Sequence, residues 1–213
     1  MSTFILYGNP GWGSAIVEAQ LDWYGLPWRF ETTGDLFGSE EARAKLRPLN
    51  AITQVPTLVL PDGQVMTESA AITLHLADLA GRDDLVPGPR APERAAFLRW
   101  LVFLVANVYP TFTYADDPAR FVKTGDDAGR QAFRAEVDAY AQRLWQVVEG
   151  AAGTPWFLGA RPSALDVYLA VMTKWRPRRD WFAQHTPRLL AAADAAARLP
   201  AVAPTMARNF KAG

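Results

Sequence analysis

Residues 57–72 read Thr57-Leu58-Val59-Leu60-Pro61-Asp62-Gly63-Gln64-Val65-Met66-Thr67-Glu68-Ser69-Ala70-Ala71-Ile72. Two β-rich runs flank a Pro-Asp-Gly turn, and Asp-Gly between such runs is a strong hairpin signal. Ser69 is a favourable N-cap for the apolar run at helical spacing that follows it. This segment therefore predicts a β-hairpin that leads directly into a helix.

The residues before the hairpin alternate between strand and helix patterns. The apolar run Phe4–Tyr7 predicts a strand, the spacing from Ser14 to Gly25 predicts a helix, and the alternation over Trp28–Thr32 predicts a second strand. A polar helix is expected over residues 39–47, before Pro48. The order βαβ-α-ββα predicts an α/β domain with a small mixed four-stranded sheet and helices on both faces.

The pattern changes after Gly81, where a proline-rich linker begins and no further strand is expected. We predict an α/β domain at 1–81, a linker at 82–91 and an all-α helical domain at 92–213. Its helices are expected over residues 94–109, 128–149, 163–175, 177–184 and 187–199.

The composition excludes several classes of function. The 22 basic residues balance the 22 acidic ones, so no net charge recruits nucleic acid or anionic lipid. The absence of cysteine excludes disulfides and a protein thiol nucleophile, and with only two histidines no metal site is expected. The longest apolar run, 97–108, is shorter than the ~20 residues of a spanning helix. No signal peptide is evident, so we expect a cytoplasmic protein without a membrane partner.

Three motifs in order resemble those of the glutathione S-transferase family. Residues 50–58 read Asn-Ala-Ile-Thr-Gln-Val-Pro-Thr-Leu, where the family has Asn-Pro-x-Gly-Gln-Val-Pro-x-Leu. Residues 62–72 match its Asp-Gly-x-x-Leu-x-Glu-Ser-x-Ala-Ile, and Ser163 to Asp166 resembles its Ser-x-Ala-Asp helix start. The resemblance, to the bacterial cytosolic type, implies a thioredoxin-like first domain and a role in detoxification. It also implies a homodimer through the helices beginning at Ser69 and Arg94.

The resemblance further implies which residues hold glutathione. Val55, before a cis Pro56, would pair its backbone with the cysteinyl part; Gln54, Glu68 and Ser69 would bind the γ-glutamyl end. A helix N-terminus suits a carboxylate, and Glu68 suits an ammonium. Alternatively, Pro56 is a strand-edge proline and Ser69 an ordinary N-cap. Trp12 is also expected at the glutathione site, with Arg47 or Lys45 at the glycyl carboxylate.

Catalysis in such an enzyme requires a donor that stabilises the glutathione thiolate. The loop Asn9-Pro10-Gly11-Trp12-Gly13-Ser14 departs from the Ser-Pro-Gly-Ala-Cys-Ser of one bacterial class, and Gly13 replaces the cysteine. Mixed-disulfide chemistry is therefore not expected. We predict Ser14 as the donor because it begins the helix with a free hydroxyl, followed by Asn9 and then Tyr7. The N–H groups of Trp12 and Gly13 would assist, and the alternative for Ser14 is a plain N-cap.

A second substrate would lie between the domains, where pockets tend to form. Its expected walls are Trp12, Tyr109, Phe112, Tyr114, Trp175 and Trp181. The nearby cations would meet an anionic electrophile or form a solvated helix end: Lys174, Arg176, Arg178 and Arg179.

The sequence thus predicts an enzyme that activates the thiol of glutathione, its co-substrate, for attack on a small hydrophobic electrophile. Two alternatives remain open: a non-catalytic glutathione-binding or regulatory protein, and a glutathione-dependent isomerase or lyase, because one fold supports several chemistries.

Overall fold

A computed structural model describes residues 3–123 and 125–210. The first part of the chain forms a four-stranded mixed sheet in the order β2-β1-β3-β4. β1 runs parallel to β2 and antiparallel to β3, and β3 is antiparallel to β4. The strands are β1 Phe4–Gly8, β2 Trp28–Thr32, β3 Thr57–Val59 and β4 Val65–Met66, and the helices are α1 Ser14–Tyr24, α2 Glu40–Leu46 and α3 Ser69–Ala80. The predicted thioredoxin-like α/β arrangement is confirmed.

Alternation along β1 separates the two faces of the sheet. Leu6 is fully buried and belongs to the main core with residues of α1 and α3. Tyr7 points to the other face, where it packs with α2 on a small cluster around Leu46. This is the period-two pattern of a strand covered on both sides. Glycines at positive φ support the turns, Gly25 after α1 (φ 64°) and Gly63 in the hairpin (φ 89°).

The chain after residue 81 is helical in its described part, apart from one isolated bridge between Trp156 and Gly159. Its helices are α4 Arg94–Phe103, α5 Tyr109–Asp116, α6 Asp127–Ala151, α7 Ala164–Met172, α8 Arg179–His185, α9 Pro187–Ala197 and α10 Ala203–Asn209. The predicted helix over 94–109 continues to Asp116, because a π-turn at Leu104–Val108 connects α4 to α5 just before Pro110. The short α10 was not predicted.

The continuous helical run Arg94–Asp116 has 23 residues and, by length and composition alone, is apolar enough to cross a membrane. This corrects the expectation that no segment reaches that length. Such a run also occurs as a core helix of a folded domain, and Phe97, Leu101 and Val108 are indeed fully buried.

α7 lies at the centre of the helical part, with all nine residues buried. α7 begins with a capping box: the Asp166 carboxylate accepts from Ser163 N at 2.8 Å and from Ser163 Oγ at 3.1 Å. It also accepts from Phe157 N at 2.8 Å. Tyr168 extends from α7 toward the first part of the chain, and its hydroxyl lies 3.3 Å from Thr73 Oγ1 in α3. α7 therefore supports the helix that begins at Ser69.

Candidate functional site

A cavity of about 730 Å³ lies between the sheet domain and the helices. On one side are the β1–α1 loop, residues 36–43 and the loop before β3. On the other are α5, the 3₁₀ turn at Pro118–Arg120 and the segment after α7. The cavity thus joins the predicted glutathione residues to the predicted second-substrate wall.

The loop before β3 presents free backbone groups at this cavity. Val55 and Gln54 line it, the Val55–Pro56 peptide bond is cis as expected, and Thr53 has a positive φ of 52°. Within the described residues, neither the N–H nor the C=O of Val55 makes a hydrogen bond. Val55 is half-buried at the cavity wall, so its N–H and C=O are open to pair with the backbone of a peptide-like ligand.

Asn50 and Thr57 position this loop. Both residues belong to the 50–58 motif, but the sequence alone gave neither of them a role. Both side chains are buried, and both donate to Gln54 O, Asn50 Nδ2 at 2.9 Å and Thr57 Oγ1 at 2.8 Å. Asn50 Nδ2 also donates to Thr57 Oγ1 at 3.1 Å. These bonds hold the main chain at Gln54 in place and leave that of Val55 exposed to the cavity.

Glu68 and Ser69 lie beside this loop but do not line the cavity itself. β3 and β4 are antiparallel, with Leu58 paired to Met66, so the residues before β3 and those after β4 lie at the same end of the sheet. The N–H groups of Ser69, Ala70 and Ala71 make no backbone hydrogen bond in the described chain, since the first such bond of α3 is Ile72 N to Glu68 O. This end of α3 is therefore suited to an anion.

Two further features mark the start of α3. Glu68 is exposed and holds a positive φ of 65°, a conformation that non-glycine residues adopt mainly at functional sites. Burial raises the pKa of Tyr168 to about 12, although hydrogen bonds with Ser69 and Thr73 act in the opposite direction. The Tyr168 phenol is therefore protonated, and its contact with Thr73 Oγ1 joins α7 to α3.

The α2 cations differ from the prediction. Arg47 and Lys45, expected at the glycyl carboxylate, are exposed and paired with Glu40 at 2.7 Å and Glu41 at 2.6 Å. Neither lines the cavity. Arg43 lines it instead. It is also paired with Glu40 at 2.8 Å, and it donates to Leu36 O at 2.9 Å and to Phe37 O at 2.8 Å. The sequence did not predict Arg43 at the site, because α2 and its C-cap carry three cations and only the fold shows which of them faces the cavity.

Ser14 is not the free hydroxyl that the sequence predicted. It is fully buried, and its Oγ donates to Asn9 O at 3.2 Å. A Cβ placed on Gly8 would overlap Ser14 Oγ, so the hydroxyl packs directly against β1. The N-cap of α1 is Gly13, so the alternative of Ser14 as N-cap is wrong as well. Ser14 does not line the cavity.

Asn9 and Tyr7 are not brought to the cavity wall either. The Asn9 side chain is buried and spans to the chain after β2: Nδ2 donates to Gly34 O at 2.6 Å, and Oδ1 accepts from Thr32 Oγ1 at 3.1 Å. Its amide is thus used to hold two loops together. Tyr7 packs beside Trp12 and Val55 behind the wall.

The groups that do reach the cavity from this loop are Gly11, Trp12 and Gly13. The Trp12 N–H, expected to help, is occupied by Asn9 O at 3.1 Å. Gly11 N–H donates to Asn209 Oδ1 at 2.9 Å, and Gly11 O accepts from Trp175 Nε1 at 2.8 Å. By contrast, the N–H groups of Gly13 and Ser14 make no hydrogen bond within the described part of the chain. They form the free N-terminal end of α1.

Tyr109 places a hydroxyl at this same end of α1. A Cβ built on Gly13 would overlap Tyr109 Oη, so the phenol oxygen lies directly against the Gly13 backbone. Among the described residues it has no hydrogen-bond partner. Burial raises the pKa of Tyr109 well above its ordinary value, which keeps the phenol protonated and able to donate. The sequence indicated Tyr109 only as an apolar wall, because nothing local connects it to Gly13.

The aromatic wall contains four of the six residues predicted for it. Tyr109, Phe112 and Trp175 pack edge to face, with Phe112 and Trp175 centroids 5.0 Å apart, and Trp12 contacts Phe37 across the opening. Two predictions are wrong. Tyr114 is largely exposed and packs on Phe121, and Trp181 packs on Phe182 and His185, so neither lines the cavity.

Comparison with known proteins places this geometry in a family. Residues 14–79 match the family described as glutathione S-transferase, N-terminal domain. Over 205 residues the chain is 38% identical to the uncharacterized GST-like protein YncG of Escherichia coli K12, which covers 96% of this chain and 97% of that protein. The chain belongs to the glutathione S-transferase family. A glutathione S-transferase of Xanthomonas campestris, GST-4.5, is 29% identical over 179 residues, 80% of this chain and 81% of that one.

Solved structures of this glutathione S-transferase family show the same fold. A glutathione transferase homologue from Sulfitobacter, crystallised with bound glutathione, superposes with a TM-score of 0.84 at 22% identity. The match covers 97% of this chain and 98% of that protein. At this identity the likeness shows the architecture, a thioredoxin-like sheet domain followed by helices, rather than the chemistry.

Proposed function

We propose that this family member binds glutathione and catalyses its conjugation to small hydrophobic electrophiles. The observation that carries the proposal is the shared cavity, in which the free backbone of Val55, the free end of α1 and the Tyr109 hydroxyl meet an aromatic wall. The cavity thus combines the main chain of Val55, which suits a peptide, with the N-terminal end of α1, which suits a thiolate. It also has room for an apolar second substrate.

The described groups match glutathione piece by piece. The γ-glutamyl carboxylate would accept from the free N–H groups at the start of α3 and from Ser69, and Glu68 would accept from the α-ammonium. The cysteinyl backbone would pair with Val55. The glycyl carboxylate would reach Arg43, the α2 cation that lines the cavity. The sulfur would then lie near Gly13 and Tyr109.

The chemistry follows from this placement. The thiol releases its proton to water, and the thiolate accepts hydrogen bonds from Tyr109 Oη and from the free N–H groups of α1. Lowering a thiol pKa by two units needs roughly 2.7 kcal/mol, which one charge-assisted hydrogen bond of about 1.5–3 kcal/mol and a helix end of about 0.3–1 kcal/mol supply. The sulfur then forms a C–S bond to the electrophilic carbon, and the leaving group departs with the bonding electron pair.

Calorimetric titration with glutathione and turnover of 1-chloro-2,4-dinitrobenzene test this proposal together. We expect binding, catalysed conjugation, and a roughly tenfold or greater loss of affinity in Glu68→Gln, because a charge-assisted contact is lost. Glu136→Gln, an exposed acid on α6, serves as the matched control. Binding without turnover of a panel of electrophiles would favour the non-catalytic alternative. Turnover of isomerisation or elimination substrates alone would favour an isomerase or lyase.

We further propose that the protein is a homodimer through α3 and α4. Leu79 and Val102 support this assignment, because these large apolar side chains are 53% and 57% exposed on the two helices.

A further inference from the structure

The far wall of the cavity carries a group of cations that the proposed binding of glutathione does not use. These residues are Lys174, Arg176 and Arg178 on the segment after α7, and Arg120 on the 3₁₀ turn. They lie beside Trp175, on the side of the cavity that faces the second substrate, and α2 with Arg43 lies on the opposite side. Their charges set the electrostatic character of this side of the cavity.

One of these cations is already neutralised by ion pairs. Arg176 pairs with Asp116 at 2.7 Å and with Asp138 at 3.0 Å, which also removes the charge of Asp116 from the cavity. Arg120 makes no ion pair among the described residues, but the Asp117 carboxylate lines the cavity beside it and lowers the net positive charge of that rim. The neighbouring Arg179 pairs with Asp194.

Lys174 and Arg178 make no ion pair. In the described part of the chain, neither side chain has a hydrogen-bond or ion-pair partner. Burial and the nearby Arg179 lower the pKa of Lys174, while the charge of Asp194, which pairs with Arg179, acts in the opposite direction. Arg178 holds φ 89° and ψ 158°, a conformation normally confined to glycine. Arg178 thus occupies a backbone conformation that a glycine would adopt more easily.

We infer that the second-substrate half of the cavity binds an electrophile that carries an anionic group, a carboxylate or sulfonate, which Lys174 and Arg178 hold. The aromatic wall of Tyr109, Phe112 and Trp175 binds the apolar body of the same molecule. This inference rests on the proposed glutathione site, because the sulfur must face the body of that substrate.

A pair of glutathione conjugates tests the inference without requiring catalysis. S-(4-carboxybenzyl)glutathione and S-(4-carbamoylbenzyl)glutathione have nearly the same shape and differ in one charge. We expect calorimetry to show the carboxylate conjugate binding roughly tenfold tighter. The preference should disappear in Lys174→Met/Arg178→Gly, in which glycine suits the backbone at 178. It should persist in Lys123→Met/Arg90→Gly, which removes two exposed cations that do not line the cavity.

The outcomes separate this inference from the proposed function. Equal affinity of the two conjugates for the wild type, or a preference that survives in Lys174→Met/Arg178→Gly, overturns the inference even if neutral electrophiles are turned over. A charge preference that depends on Lys174 and Arg178 supports it even if no electrophile is turned over, in which case only the proposed catalysis fails.

Discussion

Position 13 accepts no side chain without moving the Tyr109 phenol, although its backbone φ of −62° suits any residue. Gly13→Ala should therefore displace the hydroxyl from the end of α1. We expect turnover to fall about tenfold, the loss of one charge-assisted hydrogen bond, while glutathione affinity changes little. Steady-state kinetics and calorimetry measure the two effects.

A double variant shows whether that loss passes through Tyr109. In a Tyr109→Phe background the hydroxyl is already absent, so Gly13→Ala should lower turnover by less than a further twofold. A full tenfold loss in that background would mean that the alanine disturbs the site in another way.

Single residues also show what the sequence could predict. Local motifs predicted Gln54, Val55, Glu68 and Ser69 as glutathione residues, and the structure places Gln54 and Val55 on the cavity wall. The proposed sulfur-facing group, Tyr109, was not predicted in that role, because its position depends on distant partners. The Asn9 amide is occupied by Thr32 at the end of β2 and by Gly34 after it, and Tyr109 reaches Gly13 from the helical part of the chain. A sequence motif contains residues that are close along the chain, whereas these contacts join residues that are far apart along it.

At the scale of single elements, the start of α7 is held by the Asp166 side chain. Asp166→Ala removes the acceptor for two buried backbone donors, Phe157 N and Ser163 N. An unsatisfied buried donor costs about 1–3 kcal/mol, so we expect the free energy of unfolding to fall by about 3 kcal/mol. Urea denaturation measures it. Asp180→Ala, at the exposed start of α8, is the control and should change stability by less than about 1 kcal/mol. An equal loss in both variants would refute the capping role.

The contact between α1 and α10 makes a contribution to folding stability that depends on pH. Burial raises the pKa of Glu18, although Asn209 and Arg208 lower it. The folded state then binds this proton more tightly than the unfolded chain, where glutamate titrates near ~4.3. The contribution of Glu18 is complete below that pH and is lost as pH rises through the raised pKa.

We therefore expect the stability of the wild type relative to Glu18→Gln to be greatest at about pH 4 and to decline toward about pH 7. Urea denaturation across this range measures the difference in the free energy of unfolding. The exposed Glu136→Gln is the control, for which this difference should not change with pH. A difference between wild type and Glu18→Gln that increases with pH would contradict the assigned direction of the pKa shift.

The elements themselves were largely predictable, and the exceptions have local physical causes. Periodicity and turn residues located the sheet and most helices. The π-turn at Leu104–Val108 and the short α10 lack a distinctive pattern, because packing rather than propensity stabilises them. Both matter at the site: the π-turn sets the phase of the helix that carries Tyr109, and Asn209 of α10 holds the Gly11 N–H.

At the scale of the whole molecule, the proposed dimer makes a direct prediction. Val102→Glu places a charge on the exposed apolar surface of α4, and we expect the protein to become monomeric, as measured by light scattering on a sizing column. Val147→Glu, 52% exposed on α6, is the matched control and should leave the dimer intact. A monomeric wild type, or a dimer that survives Val102→Glu, would contradict the proposed interface.

In the proposed mechanism, Tyr109 and the free end of α1, rather than Ser14, stabilise the glutathione thiolate. Ultraviolet titration of the thiolate of bound glutathione tests this most directly. We expect a thiol pKa below the ~8.5 of a free thiol in the wild type and in Ser14→Ala, and a pKa about one unit or more higher in Tyr109→Phe. An unchanged pKa in Tyr109→Phe, together with a raised pKa in Ser14→Ala, would contradict it.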